Sequence, residues 1–179
     1  MTALTDAALV ESVLAGHRES YGELVERHQD LLYRHARGMG LDHDTSLDLI
    51  QDAFVKAHDR LAECQDIAKF RAWIFRILRN MCLDHLRSVR RLTIPLSQVD
   101  ADMLPVDDRG DDVSRTLREA LLRLPRLLRE SFLLKHDAGY TYEEIADMTS
   151  SSPSAVKMRV HRARETLRDF LIEQGVYAA

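Results

Sequence analysis

Cysteine is scarce: Cys64 and Cys82 are the only two, and they form no CxxC pair. They give no disulfide framework and no thiol-based redox motif, which suits a reducing compartment. The seven glycines and four prolines are scattered, with no glycine-rich phosphate loop among them, so no nucleotide cradle is expected. The longest apolar runs fall far short of a membrane span. The opening stretch MTALTDAALVESV lacks the basic start and apolar block of a secretion signal, so the expectation is a cytoplasmic protein. Among the eight histidines no two are four apart, and there is no HExxH or Cys/His cluster, so neither a metal nor any other cofactor is expected. No paired-carboxylate site or nucleophile triad stands out, which makes a helical enzyme the least favoured class.

What is present is ordinary in amount and unusual in distribution. With 45% hydrophobic and 30% charged residues, a chain of 179 residues is a globular one that can bury one respectable core or two small ones. Its net charge of −4 hides segregation of sign. Residues 1–66 carry six cations against thirteen anions, whereas residues 67–95 carry seven against one. Residues 96–112 hold one against six, and residues 113–179 eleven against nine. A phosphate backbone responds to local patches, so an acidic total does not exclude nucleic acid.

Apolar periodicity predicts an almost wholly helical chain. Tyr21, Leu24, Val25, His28, Leu32 and Ala36 recur at helical spacing, as do Leu47, Ile50, Phe54, Ala57 and Leu61. A third stripe joins Phe70, Trp73, Ile74, Ile77, Leu78 and Met81. No alternating stretch is long enough for a convincing strand. Between Leu92 and Asp112 the pattern fails, in a segment with two prolines, one glycine and six aspartates. The expected fold class is therefore all-α: two small helical domains, residues 1–95 and 113–179, joined by a flexible acidic linker over 96–112. Opposite charges on the two domains leave open whether they pack together and mask one another's surfaces.

Two helices invite a nucleic-acid reading. In the second domain, Thr141-Tyr142-Glu143-Glu144 has the form of a capping box, and Gly139 is placed to end the helix before it. A short helix follows, then TSSS, where Ser152 can cap a second helix that begins at Pro153. Short helix, tight turn and longer helix make a helix-turn-helix. At 100° per residue, Val156, Val160, Ala163 and Leu167 face the core. The other side presents Ser154, Met158, His161 and Arg162, flanked by Lys157 and Arg159. Such a helix suits a major groove, with outer cations on phosphates and central residues near base edges. In the first domain, FRAWIFRILRNMCLDHLRSVRR (70–91) buries Phe70, Ile74, Ile77 and Met81 and gathers Trp73, Arg76, Asn80, Leu83, Asp84 and Arg87 on adjoining faces. Cations mixed with an aromatic and an amide are what a single-stranded binding surface needs. Partial burial of Trp73 would let it serve both core and surface.

At these residues the chain resembles the extracytoplasmic-function, or group four, sigma factors of bacterial RNA polymerase, over nearly its whole length. YGELVERHQDLLYRHA, DLIQDAFVKAHDRL and FRAWIFRILRNMCLDHLRSVRR are similar to sigma region 2, a helical bundle. LREALLRLPRLLRESFLLKHDAGYTYEEIA and VKMRVHRARETLRDFL are similar to region 4, a helix-turn-helix. The resemblance implies a dissociable subunit that docks on core RNA polymerase, recognises promoter DNA and helps to open it. It implies that Asp48, Gln51, Asp52 and Val55 meet a coiled coil of the largest polymerase subunit. It places Trp73, Arg76, Asn80, Asp84, Arg87, Arg90 and Arg91 at the −10 element, where a base of the non-template strand is flipped out. Ser154, Lys157, Met158, Arg159, His161 and Arg162 would read the −35 duplex, with Arg129 and Tyr142 on phosphates. An anti-sigma factor is an implied further partner, and catalysis is left to the polymerase.

The chain departs from its relatives at the turn. Thr149-Ser150-Ser151-Ser152 stands where Leu-Gly-Ile-Ser is usual, so a residue suited to positive φ and an apolar turn anchor are both missing. Pro153-Ser154-Ala155 replaces Val-Gly-Thr, which stiffens the first helical turn, and Met158 replaces a small polar residue, favouring contact with a thymine methyl. Two readings of other classes exist: a helix-turn-helix regulator acting without polymerase, and a sigma-like module that sequesters a partner. The first leaves the Trp73 helix unexplained, and the cations on both surfaces count against the second.

Overall fold

The computed structural model describes residues 4–93 and 112–176, with side chains from Leu4 to Val89 and from Arg115 to Val176. The expected linker lies outside them, apart from Asp112, and so do the side chains of Arg90 and Arg91. The described residues form eight α-helices and no strand: α1 (Asp6–Leu14), α2 (Ser20–Gly38), α3 (His43–Asp59), α4 (Phe70–Thr93), α5 (Asp112–Arg123), α6 (Arg126–His136), α7 (Tyr142–Thr149) and α8 (Pro153–Glu173). Two short 3-10 turns, Leu61–Glu63 and Ile67–Lys69, join α3 to α4.

Each boundary has a local chemical cause. Thr5 caps α1 by accepting from the Ala8 amide at 3.2 Å. Asp42 caps α3 through the Thr45 amide at 2.9 Å and the Thr45 hydroxyl at 2.7 Å, and those donors hold its carboxyl below the usual range. The predicted capping box forms: Thr141 accepts from the Glu144 amide, and the Glu144 carboxylate accepts from the Thr141 amide at 2.8 Å. Ser152 caps α8 ahead of Pro153 as expected, and Gly139 takes φ +72° between α6 and α7. Ser150 fills the turn position where glycine was missed, in the left-handed region at φ 51°.

In the first half, α1 to α4 bury Leu9, Leu24, Leu32, Ile50, Phe54, Phe70 and Leu78. Asp6 ties α1 to α2, facing His28 Nε2 at 2.8 Å and Arg27 Nη1 at 3.1 Å. In the second half, α5 and α6 pack with α8, while α7 and α8 form the helix-turn-helix. The expected α8 stripe of Val156, Val160, Ala163 and Leu167 is buried throughout. Three expectations change. Leu47 is 48% exposed, because it lies beside a groove rather than in the core. Leu83, expected on the solvent-facing side of α4, is buried against the second half. The two halves also share one continuous core, which runs from Leu9 and Phe75 of the first to Tyr140, Ile145 and Val160 of the second. Among the described residues no helix is long and apolar enough to cross a membrane.

Candidate nucleic-acid interface

Helical register divides α4 into two faces. Arg71, Phe75, Arg79 and Leu83 follow at four-residue intervals and meet the second half. Roughly a third of a turn away lie Trp73, Arg76, Asn80, Asp84 and Arg87. Arg76, Asn80, Asp84 and Arg87 are exposed, and Trp73 is half-buried against Phe70, with ring centroids 6.1 Å apart. Docking of the halves therefore leaves this face open. Arg87 pairs with Asp84 at 3.0 Å, a solvent-exposed bond of about 0–1 kcal/mol that a phosphate can displace.

On α8, Ser154, Lys157, Met158, His161 and Arg162 all face solvent, while Val156 and Val160 anchor the opposite side. Exposure of Met158 matters most, since a large apolar side chain in water has contact area to offer. His161 Nδ1 lies 3.2 Å from Glu165 Oε2, one turn further on. Arg159 differs from its neighbours: it is half-buried and donates from Nη1 to the Ser151 hydroxyl at 2.9 Å. This bond pins the serine-rich turn to α8, the role the sequence comparison assigned to a missing apolar anchor.

The two phosphate candidates outside α8 also separate. Tyr142 opens α7, half-buried, with the Lys135 ammonium 4.7 Å from its ring centroid, so a cation and a hydroxyl stand together beside the turn. Arg129 is only 3% exposed and donates from Nη1 to the Leu122 carbonyl at 3.1 Å, so it closes the end of α5 and presents no charge to a phosphate in this arrangement.

The acidic helix α3 exposes Asp48, Gln51, Asp52 and Val55 together. Gln51 and Val55, with Leu47 and Phe54, also line a groove of about 640 Å³ closed on its other side by Tyr21 and Val25 of α2. The Tyr21 hydroxyl donates to the Phe54 carbonyl at 2.6 Å, and burial pushes its ionisation upward. This groove was not anticipated: Leu47 had been assigned to the core, and its pairing with Val55 on a rim depends on α2 being set back. No cluster of three or more His, Cys, Asp or Glu side chains suited to a metal occurs among the described residues.

Comparison with known proteins bears on both halves. The family model for sigma-70 region 2 matches residues 24–92, and that for sigma-70 region 4 matches residues 114–167. The ECF RNA polymerase sigma factor SigM of Mycobacterium tuberculosis is 33% identical over 170 residues, covering 93% of this chain and 85% of that protein. Among solved structures, CnrH in complex with the cytosolic domain of CnrY superposes with a TM-score of 0.73 at 29% identity, over 94% of this chain and 97% of CnrH. The sigma factor RpoE in complex with the anti-sigma factor NepR from Bartonella quintana gives 0.72 at 25% identity, over 86% and 97%. With both regions matched in order and the match running through nearly the whole chain, this protein belongs to the sigma-70 family, among its extracytoplasmic-function members.

Proposed function

We propose that this chain binds core RNA polymerase through α3, engages the −10 element through α4 and reads the −35 element through α8, so directing transcription to selected start sites. The domain limits 1–95 and 113–179 follow from this division. One observation carries the reading: the cation-bearing faces of α4 and α8 are both open to solvent, although the other sides of the same helices are fully packed. On α4, Arg76, Arg87, Arg90 and Arg91 supply charge for the backbone, while Trp73, Asn80 and Asp84 offer a stacking surface and hydrogen bonds to an unstacked base. Unstacking costs a few kcal/mol, offset by these preformed contacts. On α8, Lys157 and Arg159 face phosphates, and Ser154, Met158, His161 and Arg162 face base edges, with Tyr142 as a backbone contact. Arg129 supports that surface from beneath. The groove beside Gln51 and Val55 is suited to a helix of the polymerase, whose cations would meet Asp48 and Asp52. No step of chemistry falls to this chain; it acts in the cytoplasm, beside the polymerase. Because CnrH and RpoE are complexed with CnrY and an anti-sigma factor, an anti-sigma partner is proposed here too.

Two variants test the division. Asp48→Arg with Asp52→Arg reverses the charge on α3 and should abolish co-elution with core polymerase while leaving −35 duplex binding intact. Asn80→Ala should reduce permanganate reactivity of the opened promoter more than initial binding. Co-elution unchanged in the first, or footprints identical to wild type in the second, would remove that assignment.

A further inference from the structure

The stripe of α4 that meets the second half holds groups a surface helix would leave in water. Arg79 turns Nε and Nη2 onto the carboxylate of Glu130, which is 1% exposed. Two turns earlier, Arg71 donates from Nη2 to the Ala138 carbonyl, and its guanidinium carbon lies 4.6 Å from the Tyr140 ring centroid. The Tyr140 hydroxyl donates back to the Arg71 carbonyl at 3.3 Å, and Phe75 meets the Tyr140 ring edge-on at 5.4 Å. From α2, Arg34 Nε reaches Asp137 Oδ1 at 3.0 Å. Gly38 lets Leu133 lie directly on the helix backbone: a Cβ there would sit 2.8 Å from Leu133 Cδ1. A buried ion pair and a glycine-dependent close approach both demand matched partners, so this is a specific interface and not a loose collapse.

That interface conflicts with the span of a promoter. Leu83 of α4 and Ala163 and Leu167 of α8 lie in one hydrophobic cluster. Asn80 stands three residues from Leu83 and Met158 five from Ala163, so at about 1.5 Å per residue the two reading faces lie within roughly 30 Å of each other. The facing edges of elements centred at −35 and −10 are about 20 base pairs apart, roughly 70 Å of duplex at about 3.4 Å per pair. Even a bend of 40–90° over such a length costs on the order of 1–6 kcal/mol, and closing this gap needs far more.

We propose that the corner between α6 and α7 is an intramolecular latch: by seating Glu130, Leu133 and Tyr140 on α2 and α4 it holds the free chain closed, with either promoter-facing helix usable alone and the two unusable together, so that release of this corner is a required step of promoter engagement. The latch rests on the reading of α4 and α8 as promoter-facing helices. It acts by mass action: apparent affinity for a full promoter is scaled by the open fraction, whereas affinity for an isolated element is not.

A reversible bridge across the interface tests this. Arg34 and Asp137 are both solvent-accessible, whereas Cys64 and Cys82 are buried and burial pushes the Cys82 thiol up to about 12. Arg34→Cys with Asp137→Cys can therefore be joined selectively by a bis-maleimide with a reducible spacer. The bridged chain should bind an isolated −35 duplex within twofold of the unbridged chain, yet lose at least tenfold in run-off from a promoter carrying both elements, with recovery on reduction. Bridged run-off within twofold of unbridged would overturn the latch. If neither form supports run-off, the functional reading fails instead, and small-angle scattering decides closure: a radius of gyration of about 16 Å supports it, and one above about 20 Å overturns it.

Discussion

The basic helices α4 and α8 carry similar cations and use them differently. On α8, Lys157 and Arg162 point into solvent, and Arg159 turns back to its own turn. On α4, Arg76 and Arg87 point outward, whereas Arg71 and Arg79 are committed to the second half. Arg76 and Arg79 are three residues apart, and only their angular position around the helix separates a candidate phosphate contact from a buried ion pair. Charge density along the sequence marks both helices as basic; register decides which charges are available to DNA.

The largest expected effect breaks that contrast directly. Arg79→Met strands the Glu130 carboxylate in the interface and should cost about 3 kcal/mol of stability, whereas Arg76→Met should change it by less than about 0.5 kcal/mol. Denaturant midpoints of the two variants measure the difference. Arg162→Ala reverses the pattern: it should leave stability unchanged and weaken −35 duplex binding by about 1–3 kcal/mol, read by fluorescence anisotropy at fixed salt.

A smaller effect comes from His35, which lies on α2 between Arg34 and Gly38, fully buried, its ring 5.3 Å from that of Phe75. Burial first, then the Arg79 charge, lower its pKa to about 4. A depressed histidine binds its proton more readily in the unfolded chain, so it subtracts stability as pH falls from about 6.5 toward about 4. His28, also lowered by burial, acts in the same direction. Between pH 7.5 and 5.5 the His35 contribution is about 1 kcal/mol, and His35→Leu should flatten that part of the profile in urea titrations at the two pH values. The smallest effect sharpens the account of the turn: Ser150→Gly relieves the left-handed backbone and should stabilise the chain by about 0.5–1 kcal/mol in thermal unfolding. Because Arg159 still holds Ser151, −35 binding should not change.

Sequence alone was informative wherever the cause was local. The capping box at Thr141, the Ser152-Pro153 start of α8 and the apolar stripe from Val156 to Leu167 each depend on residues within a few positions, and each is found as expected. The exposed side of α8 follows from that stripe. What spacing could not supply is long-range pairing. Arg79 finds Glu130 across 51 positions, and Gly38 receives Leu133 from a helix encoded far away. For the same reason Leu83 looked like a surface residue and Arg129 like a phosphate contact, since both are buried by the way separate helices meet. Leu47 erred in the other direction: its periodicity is that of a core residue, but α2 leaves a groove where the core would have continued.

Run-off transcription with purified core RNA polymerase on a library of genomic fragments tests the central claim most directly. The wild-type chain should produce discrete transcripts whose start sites share two upstream motifs at fixed spacing, lost with Arg162→Ala and with Asp48→Arg/Asp52→Arg. A folded chain that associates with core polymerase and yields only the transcripts core makes without it would contradict the account.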